Sequence, residues 1–181
     1  RAGSWLRLSE LGGGKGGKTL TRVYACTGSR SFNGSGANIG DSNNVHQGDW
    51  PARGQGNERA QLLFPGASIR SDLTNATVRT ARLWLYCYEA ENAPTGFFVG
   101  IGEGAALTTT YDPAFHPYGT TEWTTVGQWG YVDIAYGNHT LLGYILAGSN
   151  VIGMPWTPGG TYATGYRGYG FSAALRPYME I

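Results

Sequence analysis

Residues 76–89, Ala-Thr-Val-Arg-Thr-Ala-Arg-Leu-Trp-Leu-Tyr-Cys-Tyr-Glu, have the strongest β-strand pattern in the chain. Alternate positions are small or aliphatic, and the positions between them are mostly aromatic. The first set is Ala81, Leu83, Leu85 and Cys87, and the second is Arg82, Trp84, Tyr86 and Tyr88. Successive strand side chains point to opposite faces of a sheet. Because both faces are apolar at the centre, the segment is expected to be a central strand, covered by a second sheet or by a neighbouring subunit.

Shorter segments of β-branched, aromatic or alternating residues flank this strand on both sides. They comprise residues 19–27, 58–64, 97–103, 123–135, 151–154, 169–173 and 176–181. Residues 69–73 fit one helical turn, and residues 138–147 predict a short helix that Asn138 caps and Gly148 ends. Many short strands separated by glycine and proline turns predict an all-β fold, a two-sheet sandwich of jelly-roll type.

Composition excludes several classes of protein. Of 181 residues, 30 are Gly, 14% are charged and 41% are hydrophobic, which does not fit a coiled coil or a disordered chain. The longest apolar run, residues 83–88, is far shorter than the roughly 20 residues of a membrane span. A net charge of +1 with scattered arginines makes nucleic acid an unexpected partner.

Glycine-rich and polar segments define the expected domain organisation. Residues 12–18 (Gly-Gly-Gly-Lys-Gly-Gly-Lys) have the composition of a flexible tether. Residues 1–18 are therefore expected to link residues 19–181, a single β-sandwich domain, to a longer chain. Residues 28–57 are rich in Gly, Ser and Asn and are expected to form a long surface excursion.

Two glycine motifs in the chain match nucleotide-binding patterns, but their context does not. Residues 12–19 fit the phosphate-loop expression, and Gly100, Gly102 and Ala105 fit the dinucleotide fingerprint. Both motifs need a helix directly after the glycines, and strand-forming or helix-breaking residues follow instead. No cofactor is expected.

Catalytic and metal-binding patterns are equally weak. The three histidines, His46, His116 and His139, are widely separated, and no metal site is expected. Asp49 with Glu58, or Glu89 with Glu91, are the carboxylate pairs that a glycoside hydrolase would need at a fixed separation. The chain is expected not to be an enzyme.

The two cysteines, Cys26 and Cys87, lie in apolar strand-like contexts. They are compatible with one disulfide in an oxidising compartment or with two buried thiols in a reducing one. The sequence favours thiols.

Aromatic residues in Gly-, Pro- and Thr-rich segments are the candidate ligand-binding residues. Such segments run over the surface, where clustered rings mark a contact site. The carbohydrate-binding candidates are Trp50 with Asp49 beside it, Tyr118, Trp123, Trp129, Tyr131 and Trp156. Tyr162, Tyr166 and Tyr169 lie in similar surroundings. The mid-strand rings of Trp84, Tyr86 and Tyr88 are instead expected in the core or at an oligomer interface.

Several segments form one layout along the chain: residues 24–28, His46-Gln47-Gly48-Asp49, Gly56-Asn57-Glu58-Arg59 with residues 62–65, residues 69–73 and 76–86, and the ending Arg176-Pro177-Tyr178-Met179-Glu180-Ile181. This layout resembles the C-terminal domains of minor tail proteins and tail fibres in phages of actinobacteria, and the DNRLRE-type jelly-roll modules. It implies a receptor-binding domain at a virion tail tip, commonly a homotrimer, that attaches to bacterial envelope saccharide as part of a longer tail protein. A glycan depolymerase and a structural fibre cap are the alternatives.

Overall fold

The computed structural model describes residues 6–7, 19–91, 97–102, 106–109, 117–121, 125–134, 141–154 and 163–181. The strands in these ranges are β1 (Leu6–Arg7), β2 (Thr21–Ala25), β3 (Gly28–Phe32), β4 (Asn44–Asp49), β5 (Asn57–Leu63), β6 (Arg82–Glu91), β7 (Phe97–Gly102), β8 (Pro117–Thr121), β9 (Trp129–Asp133), β10 (Val151–Met154), β11 (Ala163–Arg167) and β12 (Tyr178–Glu180). The helices are α1 (Gly66–Asp72), α2 (Leu141–Ala147) and a 3₁₀ turn at Pro51–Arg53. The all-β sandwich class predicted from the sequence is confirmed.

Strand β6 holds a central position in the sheet. One of its edges pairs with β9, and the other pairs first with β12 and then with β11. The order of hydrogen-bonded strands across the sheet is β1-β2-β12-β6-β11-β4-β5-β10-β7-β8, and β3 also pairs with β5. Both edges of β6 are therefore paired, which gives it the central position in the sheet that the sequence predicts.

The core lies on the aliphatic face of β6. Leu83 and Leu85 are fully buried and belong to one cluster with Leu62 of β5 and Ile152 of β10. Ile69 of α1 extends this cluster, so the helix packs on the same core. The alternation read from the sequence therefore separates a buried face from an outward face of β6.

Two strands lie where the sequence predicts a surface excursion. Residues 28–57 contain β3 and β4, whose Phe32 and Val45 are fully buried. The sequence does not indicate this burial, because polar residues of β3, Ser29 and Ser31, are buried as well. Ser31 donates its hydroxyl hydrogen to the Asn44 carbonyl oxygen at 3.0 Å, which compensates for its burial.

Three further element predictions differ in detail. The strand predicted over residues 76–89 begins only at Arg82. Residues 169–173 form turns rather than a strand, and α1 extends the single helical turn predicted at residues 69–73. Helix α2 begins at Leu141 in the described residues, and the predicted cap Asn138 lies outside them.

The N-terminal residues are described only at β1, which pairs antiparallel with β2 through Leu6 opposite Arg22. This pairing joins part of the expected tether to the sheet edge. The domain boundary near Thr19 stays a prediction. Among the described helices, none has the length and apolar character needed to span a membrane.

Both cysteines are free thiols in the interior. Cys26 and Cys87 are fully buried, and burial raises the pKa of Cys26 to about 12 and that of Cys87 to about 11. A buried thiol that stays protonated is a poor nucleophile. Their environment is that of small core residues.

We expect iodoacetamide at pH 8 to leave both thiols of the folded protein unmodified. The thiols are buried from the reagent, and their raised pKa values keep them protonated at this pH. In urea, both should be alkylated at the rate of a free cysteine. Peptide mass spectrometry after timed quenching measures each site separately. Rapid labelling of Cys87 without denaturant would contradict the burial described here.

Candidate functional site

The outward face of β6 and its two neighbours carries aligned rows of aromatic side chains. In the strand register, Trp84 lies between Tyr131 of β9 and Tyr178 of β12. In the next row, Tyr86 lies beside Trp129 of β9. We call these five residues the outer aromatic face.

The five rings contact one another across the strands. The Trp84 ring centroid lies 4.8 Å from that of Tyr131 and 5.9 Å from that of Tyr178, whose ring is stacked at 13°. Trp129 meets Tyr86 edge-on at 5.5 Å and Tyr178 at 5.2 Å. These separations fall in the range in which aromatic pairs stabilise each other. The rings therefore form one connected surface in which each limits the motion of the others.

A charged row borders the outer aromatic face. Arg82 lies in register between Asp133 of β9 and Glu180 of β12. The Arg82 guanidinium lies 4.5 Å from the centre of the Tyr131 ring, which is 39% exposed. Flat apolar rings thus adjoin hydrogen-bond donors and acceptors, as in sites for ligands of mixed polarity.

The structure brings together residues that the sequence assigned to two different sites. Trp129 and Tyr131 were predicted to bind carbohydrate, whereas Trp84 and Tyr86 were predicted at an oligomer interface, and all four lie on this face. Tyr118 lies on β8, but its side chain is not described, and Trp123 and Trp156 lie outside the described residues. Tyr178 was missed as a site residue, because its place depends on the pairing of β12 with β6.

Two rings expected at the surface are buried instead. Trp50 is 3% exposed, with its ring 5.8 Å from that of His46 and the Arg53 guanidinium 4.7 Å from its centre. It is therefore not an open platform, although Asp49 beside it is partly exposed. Tyr166 is fully buried in the main core. Tyr166 lies on β11 and Trp50 directly follows β4. The glycine content of these segments did not indicate that the two rings are buried.

Trp50 packs on a buried polar chain formed by Glu58, His46 and Tyr88. Glu58 and His46 have exposed fractions of 0% and 1%, and Glu58 Oε2 lies 3.0 Å from His46 Nδ1 without the angles of a full hydrogen bond. His46 Nε2 lies 2.5 Å from the Tyr88 hydroxyl. A carboxylate only accepts hydrogen bonds, so the proton of a neutral imidazole belongs on Nδ1, and Nε2 then accepts from Tyr88.

A β-bulge and a glycine bring the Tyr88 ring to His46. Gly165 of β11 pairs with Glu89, while Tyr166 pairs with Cys87, which leaves Tyr88 as an extra residue on β6. Bulges redirect a side chain. A Cβ on Gly165 would lie 2.9 Å from Cε1 and Cζ of Tyr88, so only glycine lets the ring cross β11 to reach His46 on β4.

Burial and a nearby carboxylate keep Tyr88 a protonated phenol. Burial and the nearby Glu89 carboxylate raise the pKa of Tyr88 to about 12, although a hydrogen bond from Arg53 opposes the rise. Arg53 also donates to Glu89 Oε2 at 3.0 Å. At neutral pH the hydroxyl is therefore a hydrogen-bond donor rather than a nucleophile. The contacts of the Tyr88 hydroxyl with His46 and Arg53 hold the Tyr88 ring in one position.

Within the part of the chain that the structure covers, no group of three or more His, Cys, Asp or Glu side chains is arranged to hold a metal ion. No protein-family model and no curated protein matches the chain.

Proposed function

We propose that this chain is a non-catalytic binding module that holds a saccharide of the bacterial envelope on the outer aromatic face. The observation that supports the proposal is the alignment of five rings from three neighbouring strands beside a charged row. The pyranose ring has apolar C–H faces, which pack well on indole and phenol rings. Its hydroxyl groups can form hydrogen bonds with the adjacent Arg82, Asp133 and Glu180 side chains.

The size and rigidity of the outer aromatic face favour a ring-shaped ligand over a flexible one. Ring contacts such as that between Trp84 and Tyr131 fix the surface before a ligand arrives. A preformed surface loses little conformational freedom on binding. Each single saccharide contact is still weak, so several sites would have to act together for firm attachment.

The proposal includes the setting that the sequence resemblance implies. The module would attach a phage virion to its host from the tail tip, as a homotrimer joined to the rest of a tail protein. Linked weak sites gain about 10²–10⁴ in avidity without new contacts. Trimeric presentation would therefore turn modest saccharide affinity into durable host attachment.

A binding assay with paired alanine variants tests this function. We expect Trp129→Ala combined with Tyr131→Ala to weaken binding to purified envelope glycan roughly tenfold or more, because truncating a central aromatic contact costs about 2 kcal/mol. Isothermal calorimetry measures the affinity, and pull-down of host cells measures attachment. Tyr169→Ala, which removes a 38% exposed ring elsewhere on the surface, is the matched control and should bind like the parent.

Two outcomes would contradict the proposal. If light scattering shows that the double variant loses its oligomeric state but keeps glycan affinity, the outer aromatic face is a subunit interface. If the parent protein releases reducing ends from the glycan, the module is a depolymerase and not a passive binder.

A further inference from the structure

One guanidinium lies between two rings at the Tyr88 end of β6. The Arg167 guanidinium carbon is 4.1 Å from the centre of the Tyr88 ring and 3.7 Å from that of Phe171. Its Nη1 donates to Asn44 Oδ1 at 2.8 Å. Stacking on both sides fixes the plane of the guanidinium and leaves its edge to make hydrogen bonds.

Arg167 has no counter-ion among the described residues, since none of their carboxylates forms an ion pair with it within 4.0 Å. The two acids whose charges act on the adjacent Tyr88, Glu89 and Asp41, have other partners. Glu89 pairs with Arg53, and Asp41 accepts the backbone N–H groups of Asn43 and Asn44. A partly buried cation has lost some of its hydration, and an anion that pairs with it restores that loss.

Tyr88 and the backbone that carries Phe171 are themselves held in place, and the Phe171 ring is 43% exposed. Tyr88 is anchored by His46, as described above. Phe171 follows a loop whose backbone is tied to residues 42–43, with Gly168 N–H donating to the Asn43 carbonyl at 2.7 Å and Gly170 N–H to the Ser42 carbonyl at 2.8 Å. A Cβ on Gly168 would lie 2.6 Å from the Ser42 carbonyl oxygen, so the loop packs tightly there. The guanidinium is therefore preorganised for a ligand.

Arg167 is continuous with the outer aromatic face through β6. Trp84, Tyr86 and Tyr88 are successive outward residues, and the four steps from Trp84 to Tyr88 span about 13 Å. We infer that the saccharide bound on this surface is acidic, with a carboxylate or phosphate group that pairs with Arg167 while its sugar rings lie on the aromatic face. This inference rests on the proposed function and specifies its ligand class.

Two matched polymers that differ only in charge, together with a phosphate polymer, test the inference. The chain is titrated with polygalacturonate, with the same polymer fully methyl-esterified, and with poly(glycerol phosphate). We expect the better of the two acidic polymers to bind at least about tenfold more tightly than the methyl ester, as a charged hydrogen bond allows. Whichever acidic polymer binds more tightly identifies the acid group. Added sodium chloride should weaken acidic binding and leave the methyl ester unaffected.

The variant Arg167→Gln should remove this preference and leave binding of the methyl ester unchanged. Arg176→Gln is the matched control, because Arg176 is also partly buried and also stacks on a ring, that of the exposed Tyr169. Thermal unfolding checks that both variants fold. If Arg167→Gln does not fold, Arg167→Lys, which keeps the charge and loses the planar fork, should show a weakened preference.

The outcomes separate this inference from the proposed function. If acidic and esterified polymers bind equally, and the Trp129 and Tyr131 double variant weakens both, the inference is wrong and the proposed function stands. If acidic polymers bind through Arg167 but the double variant binds them normally, the aromatic site is wrong. If none of these polymers and no envelope glycan binds, both are rejected.

Discussion

Glu58→Ala is expected to lower the free energy of unfolding by about 2–5 kcal/mol, because it truncates a fully buried side chain and removes the carboxylate that faces the buried His46 imidazole. Glu58 is fully buried, and its carboxylate faces His46 Nδ1 at 3.0 Å. Without it, the buried imidazole loses the carboxylate that faces Nδ1, and a cavity replaces the side chain. Urea denaturation followed by tryptophan fluorescence gives the value, with the slope of the transition as a check on two-state behaviour.

Glu89→Ala is the matched control for this prediction. Glu89 also faces a basic side chain at 3.0 Å, that of Arg53, but Glu89 is 41% exposed and Arg53 is 33% exposed. Exposed pairs contribute about 0–1 kcal/mol. Equal losses of stability in the two variants would mean that the buried pair has no special role, and the account of the Glu58, His46 and Tyr88 chain would fail.

Gly165→Ala is expected to destabilise the fold by about 1–3 kcal/mol, as small-to-large changes in packed sites do. The new methyl group would lie 2.9 Å from the Tyr88 ring, which has little room to move because His46 and Arg167 hold it. The ring must shift, so the hydrogen bond to His46 should lengthen or break. Equilibrium unfolding measures the cost.

A double-mutant cycle identifies the source of that cost. In a Tyr88→Ala background the ring is absent, so Gly165→Ala should cost much less than it does in the parent. If the alanine costs the same in both backgrounds, its effect comes from the β11 backbone and not from the ring. The assignment of Gly165 as the residue that admits Tyr88 would then be wrong.

Strand patterns in the sequence predicted those elements whose side chains alternate between apolar and exposed. Val151–Met154 was predicted with its observed bounds, and the two faces of β6 were assigned correctly. The strands β3 and β4 were missed, because their buried positions include Ser31, His46 and Gln47. Such residues are buried at low cost only when partners are present, and the partners come from other segments of the chain.

The candidate site was predictable only in part for a similar reason. The ring types of Trp129 and Tyr131 indicated a contact surface, but their alignment with Trp84 depends on the register between β6 and β9. Surface segments and covered strands have similar glycine content here, so the exposure of Trp50 was predicted wrongly. Arg167 carries no sequence signal at all, since its importance comes from the two rings that enclose it and from the lack of a described counter-ion.

The outer aromatic face is assembled from β6, β9 and β12, segments far apart along the chain. Contacts between distant segments form late, because loop closure must precede them. The short strand β12 inserts between β2 and β6, so Tyr178 joins the other rings only when the sheet closes. If the outer aromatic face is the saccharide site, a chain in which β12 has not yet paired would lack the complete site and would not bind saccharide.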